Sequence, residues 1–110
     1  MEFGFSKELD LLREMYKKFA ETEIKPLAEE LDEEERFPVE SIPKLARYGF
    51  MGIPFPKEYG GAGGNYLTYA MAIEEPGKVC GTTAAVVSAH TSLCAGPIYY
   101  IGTEAQKQKY

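Results

Sequence analysis

Charge of the basic sign is scarce. The 110-residue chain carries 12 Lys and Arg against 17 Asp and Glu, a formal net charge of −5, and its cations are scattered among acids. Binding to a phosphate backbone needs a concentrated basic surface, so we expect no nucleic-acid partner. Cysteine is equally sparse. Cys80 and Cys94 show neither CxxC nor Cys/His spacing, which argues against a metal motif and a disulfide framework and fits a reducing compartment. The sequence also has no apolar run long enough for a bilayer and no basic-then-apolar N-terminal signal. No stretch has the period-two pattern of a hairpin, and no internal repeat is visible. The expectation is a cytoplasmic protein without strands and without a membrane anchor.

What is present is an apolar complement of 45%, with 13% aromatics, enough for one globular domain over 1–110 with its own core. The chain is organised around 84–98 (AAVVSAHTSLCAGPI), fifteen residues with no Lys, Arg, Asp or Glu. A helix lacking a charged face is normally buried on most sides. Its small residues let a backbone or a ligand come close. Two readings stand side by side: a central core helix, or a helix whose small-residue face lines a slot for an apolar ligand.

Around it the pattern is helical. Ser6 is a natural N-cap, with Glu8 and Asp10 at the positive end of the helix dipole. Leu9, Leu12, Met15, Tyr16, Phe19 and Ala20 recur at three- and four-residue spacing, and Ile24, Leu27, Ala28 and Leu31 continue the stripe. Pro26 should kink the helix there. The acidic run Glu29 to Arg36 reads as a solvated helix end and loop. A short second helix starts near Pro38, with Val39, Ile42, Leu45, Ala46 and Tyr48 as its apolar face and Gly49 as its stop.

An extended apolar stretch and a glycine loop, 60–64, follow. That loop lacks the Lys-Ser/Thr and the preceding strand of a phosphate loop, so turn chemistry explains it. Asn65 caps a third helix with Leu67, Ala70, Met71 and Ile73 buried, ended by 74–77 (EEPG). Thr82 or Thr83 caps the central helix. Thr103 to Gln106 is a capping-box pattern that opens a last helix, which stops a turn later at Tyr110, so a fragment is expected. The fold class is all-α: an up-and-down-like bundle of four main helices plus a truncated fifth, with the extended Gly-rich loop between helices two and three.

No catalytic constellation is legible. His90, the single histidine, sits in an apolar stretch without a neighbouring acid and reads as a core or edge side chain. Glu74 and Glu75 are adjacent and so face different directions on a helix; one should pair or cap, the other be solvated. Tyr99 and Tyr100, beside Ile98 and Ile101, read as packing.

Several stretches stand in the order and spacing of a known helical domain. They are 3–32 with its 24–28 (IKPLA), 37–53 (FPVESIPKLARYGFMGI), 56–61 (PKEYGG), and 92–98 (SLCAGPI) followed by 102–110 (GTEAQKQKY). Over essentially all 110 residues the chain resembles the N-terminal helical domain of the acyl-CoA dehydrogenases, of the bacterial short-chain, butyryl-CoA type. The resemblance implies an FAD flavoprotein that dehydrogenates an acyl-CoA substrate between its α and β carbons, usually as a homotetramer, and passes electrons to an electron-transfer flavoprotein. It places most flavin contacts and the catalytic glutamate in two further domains, so it implies no catalytic residue here and no FAD bound by these 110 residues alone. Ala89 matches a position whose side chain limits acyl-chain depth, and Leu93 lies one turn on; Val86 and Ser88 are secondary candidates for the same acyl pocket. Pro76-Gly77 departs from the helix-compatible pair usual in the family, which suggests that the third helix ends a turn early. Other readings keep the fold but change the role: an acyl-CoA oxidase or flavin monooxygenase, or a non-catalytic helical binding or assembly module.

Overall fold

The structure, a computed structural model, describes residues 4–110. Residues 1–3 lie outside the described residues, and with them the start of the first-helix resemblance at Phe3 and the opening of the N-terminal reading. The described residues form a flat body of 41 × 41 × 21 Å whose regular elements are all helical, with no strand among them.

The first helical run comprises α1 (Lys7–Phe19), a π-helical turn (Ala20–Ile24) and α2 (Lys25–Glu33). Ser6 caps it, its hydroxyl accepting from the Leu9 N–H at 3.3 Å. At Pro26 the run widens locally, with the Lys25 N–H donating to the Ala20 carbonyl five residues back. Proline brings no donor and crowds the carbonyl four residues earlier; a wider turn just before it relieves that crowding without breaking the rod. Glu35 then takes a left-handed φ of 51°. Arg36 gathers Glu30, Glu34 and Glu40 at 2.9, 3.1 and 2.8 Å, which fastens the acidic loop to the start of the next helix.

That helix, α3 (Ser41–Arg47), begins three residues later than Pro38. Pro38 is instead buried in the turn before it, where its carbonyl accepts from the Ser41 N–H. Pro43 occupies the third helical position, where no intrahelical donor is needed. Val39 and Tyr48, expected on the buried face, are 65% and 54% exposed, and only Leu45 is fully enclosed. Seven residues are too few to be helical alone, so Leu45 and the following Phe50 hold α3 in place. Gly49 closes it with φ 81°, the left-handed stop that the sequence suggests.

The segment 50–64 is not the extended stretch expected: it is a series of turns and bends over 50–55, closed by the Phe55 N–H on the Gly52 carbonyl, then a short helical turn at Lys57–Tyr59, and it buries Phe50, Ile53 and Phe55. Then comes α4 (Tyr66–Gly77), capped by the Asn65 side chain at 2.8 Å to the Thr68 N–H. Pro76 does not end it early; the helix runs through the proline to Gly77. Its buried face is Thr68, Tyr69, Met71, Ala72, Glu75 and Pro76, so Leu67 and Ala70 point outward, contrary to expectation. After three linking residues the second long run begins: α5 (Gly81–Ser88), a π-helical segment (Ala89–Ala95) and α6 (Gly96–Ile101). Cys80, rather than Thr82 or Thr83, is its cap residue, and the Thr83 hydroxyl donates back to the Cys80 sulfur at 3.2 Å. Finally α7 (Glu104–Lys109) opens with the complete Thr103–Gln106 capping box.

The described residues thus form four main helices and a short fifth, with α4 packed between α1 and α5. The core cluster is built from Tyr16, Phe19, Ile24, Leu45, Phe50, Ile53, Met71 and Val87 with their neighbours. Phe50 lies with its ring 4.9 Å from Tyr16 and 4.8 Å from Phe19.

Candidate functional site

The run 81–101 is the element on which candidate chemistry converges, and its two sides differ. Thr83, Ala84, Val87, Thr91 and Gly96 are buried; Ala85, Ala89, His90, Ser92, Leu93 and Cys94 are exposed. The expectation of a helix buried on most sides is thus corrected. It is half-open because its small residues let α4 approach on one side and nothing among the described residues covers the other. Inward-facing Val87, Thr91 and Gly96 are spaced by four and then five residues, which is the signature of a π turn inside an α-helix. The Gly96 N–H donates to the Thr91 carbonyl, five back, directly ahead of Pro97. This is the same relation that the first run shows at Pro26.

Side-chain hydroxyls fix this segment against its surroundings. The Tyr69 hydroxyl on α4 lies 2.8 Å from Ser92 Oγ and 3.3 Å from the Ser88 carbonyl oxygen. Thr91, 1% exposed, donates to the Met51 carbonyl at 3.4 Å.

Two clefts flank the run. The larger, about 410 Å³, lies between the 49–62 segment and α7, and its walls include Met51, Phe55, Tyr59, His90, Tyr99 and Lys107. The Lys107 ammonium sits 5.5 Å above the Tyr99 ring. The Tyr59 hydroxyl donates to the Glu104 carboxylate at 2.9 Å, a bond that raises the Tyr59 phenol above its ordinary value. Hydrogen bonds from Gln108 first, then Tyr59, hold the Glu104 carboxyl below the usual glutamate value. His90 is an exposed rim residue of this cleft, the edge position rather than the core one.

The smaller cleft, about 370 Å³, is lined by Phe55, Tyr66, Tyr69, Ser92, Tyr100 and Ile101 among others. Its Tyr66 and Tyr100 hydroxyls are hydrogen-bonded to each other, which raises the Tyr66 phenol. Tyr99 is packed among Phe55, Tyr59 and Tyr100, as expected, whereas Tyr100 is 62% exposed.

The four residues singled out from the sequence line neither cleft. Ala89 and Leu93 lie on the open side of the run, Leu93 at 77% exposure, while Val86 and Ser88 are half-buried. With Ala85 they leave a shallow apolar strip of small side chains bounded by Leu93. Sequence reasoning passed over Tyr69, whose signal was a tyrosine three residues after Tyr66 in the mostly apolar first half of α4.

Other features resolve as structure. The glycine loop spends its donors internally: the N–H groups of Gly61, Ala62, Gly63 and Gly64 go to the carbonyls of Pro56, Gly52, Phe55 and Ile53. A Cβ at Gly61 would collide with the Phe55 carbonyl, so this loop is close packing and offers no cradle for phosphate. Glu75, 3% exposed, is held by Lys78 at 2.8 Å and Arg13 at 3.8 Å; Glu74 pairs with Arg13 at 3.3 Å. Glu75 is thus the buried, paired carboxylate and Glu74 the solvated one, as expected, with Arg13 reaching its edge. Among the described residues no cluster of His, Cys, Asp and Glu is arranged to hold a metal ion, and no helix is long and apolar enough to cross a membrane.

Residues 6–110 match the family model described as acyl-CoA dehydrogenase, N-terminal domain. The chain is 59% identical over 110 residues to the short-chain specific acyl-CoA dehydrogenase of Clostridium acetobutylicum, covering all of this chain and 29% of that protein. It superimposes on butyryl-CoA dehydrogenase from Megasphaera elsdenii with a TM-score of 0.90 at 35% identity, covering 100% of this chain and 30% of that one. A chain in the structure of the electron transferring flavoprotein of Acidaminococcus fermentans gives a TM-score of 0.94 at 44% identity, again over 100% of this chain and 29% of that one. The chain therefore spans about three tenths of the length of the proteins it matches.

Proposed function

The chain belongs to the acyl-CoA dehydrogenase family, as its N-terminal domain, and from that premise we propose that it walls the acyl site of an oxidoreductase that dehydrogenates short-chain acyl-CoA thioesters. One observation carries the reading: the open strip of Ala85, Ala89 and Leu93 on a helical run whose other side is packed against the core. An apolar strip left exposed on a small domain marks a surface that meets something apolar. Small side chains leave room for a chain of methylenes, each contributing about 0.8 kcal/mol when removed from water. Leu93 closes one end of the strip and limits how far the chain extends. Val86 and Ser88 support Ala89 from the turn before.

The described residues do not fit a dinucleotide cofactor themselves. The loop that resembles a phosphate cradle has its N–H groups committed to carbonyls, and Lys107 is the one Lys or Arg among the residues lining the larger cleft. We accordingly assign FAD, the base that removes the α-proton and the homotetrameric assembly to the complete protein. The Acidaminococcus match supports an electron-transfer flavoprotein as electron acceptor.

The test is Ala89→Phe in the complete polypeptide that carries this chain, assayed with straight-chain acyl-CoA thioesters. The phenyl ring should shorten the accepted chain, lowering kcat/KM for hexanoyl-CoA relative to butyryl-CoA by about tenfold. An unchanged ratio would sink the acyl-wall reading and favour the assembly module, which a concentration-dependent solution mass would then reveal.

A further inference from the structure

The larger cleft is free of carboxylates in an acidic chain. The sequence holds 17 Asp and Glu against 12 Lys and Arg. Among the described residues, none of those acids lines this cavity of about 410 Å³, whereas Lys107 and His90 do. The one acid of α7, Glu104, is already engaged: it accepts from the Tyr59 hydroxyl at 2.9 Å and from the Gln108 amide at 3.1 Å. Lys107 takes part in none of the ion pairs among the described residues.

Its charge rests on a ring instead. The Lys107 ammonium lies 5.5 Å above Tyr99, and Lys109 stands in the same way 5.0 Å above Tyr110. Tyr99 and Tyr110 both line the cleft, so two lysine–tyrosine pairs stand at its α7 side. A ring face attracts the cation without accepting a directed hydrogen bond. The ammonium therefore keeps its three N–H donors for water or for an anion. Other rings complete the wall: Phe55 lies 5.5 Å from Tyr99, tilted by 56°, and Tyr59 meets Tyr99 edge-on at 6.1 Å. These are the separations at which aromatic edges and faces attract one another, so a further ring entering beside them finds both.

Charge and room restrict what fits. The glycine-loop N–H groups are committed to carbonyls, so nothing there supplements Lys107 as a phosphate cradle would. One ammonium and one imidazole match a single carboxylate rather than the several charges of a phosphate ester. The volume lies toward the small end of ligand pockets, roughly 300–1,000 Å³, and has room for one or two fused rings.

We propose that this cleft binds a small aromatic carboxylate, its ring against Phe55 and Tyr99 and its carboxylate on Lys107, with His90 as a second donor at the rim. The proposal does not rest on the acyl-wall reading, because no residue of the Ala85, Ala89 and Leu93 strip lines the cleft.

The test is a saturation-transfer NMR titration of the complete polypeptide with three probes. They are 2-naphthoate, 2-naphthamide as its uncharged counterpart, and decahydro-2-naphthoate as the anion without a π face. The first should bind with a Kd of about 1 mM or tighter, as suits a ligand of about thirteen non-hydrogen atoms. The other two should bind at least about fivefold more weakly. Lys107 lies on a helix with no buried residue, so Lys107→Gln leaves the fold in place. That change should bring 2-naphthoate down to the level of the amide, while Lys107→Arg preserves the difference. No saturation transfer to 2-naphthoate at about 10 mM overturns the proposal, as would follow if another stretch of the complete polypeptide filled the cleft. Equal affinity for acid and amide, or for the aromatic acid and its saturated counterpart, overturns it too, since the charge or the ring is then not read. Binding that Lys107→Gln leaves unchanged puts the ligand elsewhere and overturns the assignment to this cleft. None of these outcomes bears on the chain-length test of Ala89→Phe, so the two readings fail separately.

Discussion

On one side α4 is fastened to α1 by charge; on the other it is fastened to the 81–101 run by hydroxyls. The α1 joint combines Arg13, Glu74, Glu75 and Lys78, and beside it α1 stacks Tyr16 and Phe19 on Phe50, which follows α3, at centroid distances under 5 Å. The other joint is made through Tyr69, Thr83, Ala84, Val87 and Thr91, and leaves Leu93 and Ile101 in the open at 77% and 86%. The first joint concentrates buried area, and hence stability, at about 25 cal/mol per Å². The second sets the position of a surface through small buried side chains. Stability and the candidate site thus occupy opposite flanks of the same helix.

The comparison breaks most visibly at the aromatic layer. Phe50→Ala, at a site 1% exposed, should cost about 3–5 kcal/mol in urea unfolding; a loss below about 1 kcal/mol would mean that the core closes without this ring. Next comes the charged joint. Glu75→Gln leaves Arg13 and Lys78 without their shared buried partner, and because those cations are partly exposed the loss should be about 1–3 kcal/mol. On the opposite flank, Leu93→Ser should stay within about 0.5 kcal/mol of the parent; a larger loss would show that the strip is already covered.

The smallest effect is a titration at the far end of the larger cleft. Glu104 has a depressed folded pKa, so its contribution is present above the unfolded value and lost as pH falls through the folded one. Tyr59 has a raised folded pKa, so its contribution is present below the unfolded value and lost as pH rises through the folded one. The pair should therefore hold across the neutral range and open at both extremes. In an NMR titration, Tyr59→Phe should move the Glu104 midpoint only part of the way back up, because the Gln108 bond persists.

Features encoded by one residue acting on its own backbone were legible in the sequence. Ser6, Asn65 and Thr103 cap where their side chains allow, and Gly49 stops α3 where a left-handed residue is needed. Features decided by a neighbour were not. Whether Val39 and Tyr48 or Leu45 faced inward depended on how Pro38 packed before α3. Pro76 read as a terminator because local sterics say so, yet the buried contacts of Met71, Ala72 and Glu75 carry α4 across it. The strip residues were found through resemblance, while Tyr69 escaped notice because nothing local ties a tyrosine on one helix to a serine on the next. The half-open state of the central run was also illegible, since an uncharged stretch looks the same whether its cover comes from these helices or from elsewhere.

The widened turn at Ala89–Ala95 has a consequence for how this helix tolerates change in length. Shortening the chain by one residue within it would convert the spacing from Val87 through Thr91 to Gly96 from four-and-five into four-and-four, the interval of an ordinary α-helix. Both ends of the run could then keep their places, provided that Pro97 were also replaced. A deletion that would shear most helices out of phase would here be absorbed inside a single turn, so the run carries a spare residue exactly where its open face is shaped, and length variation at that point would reshape the strip without unseating the bundle.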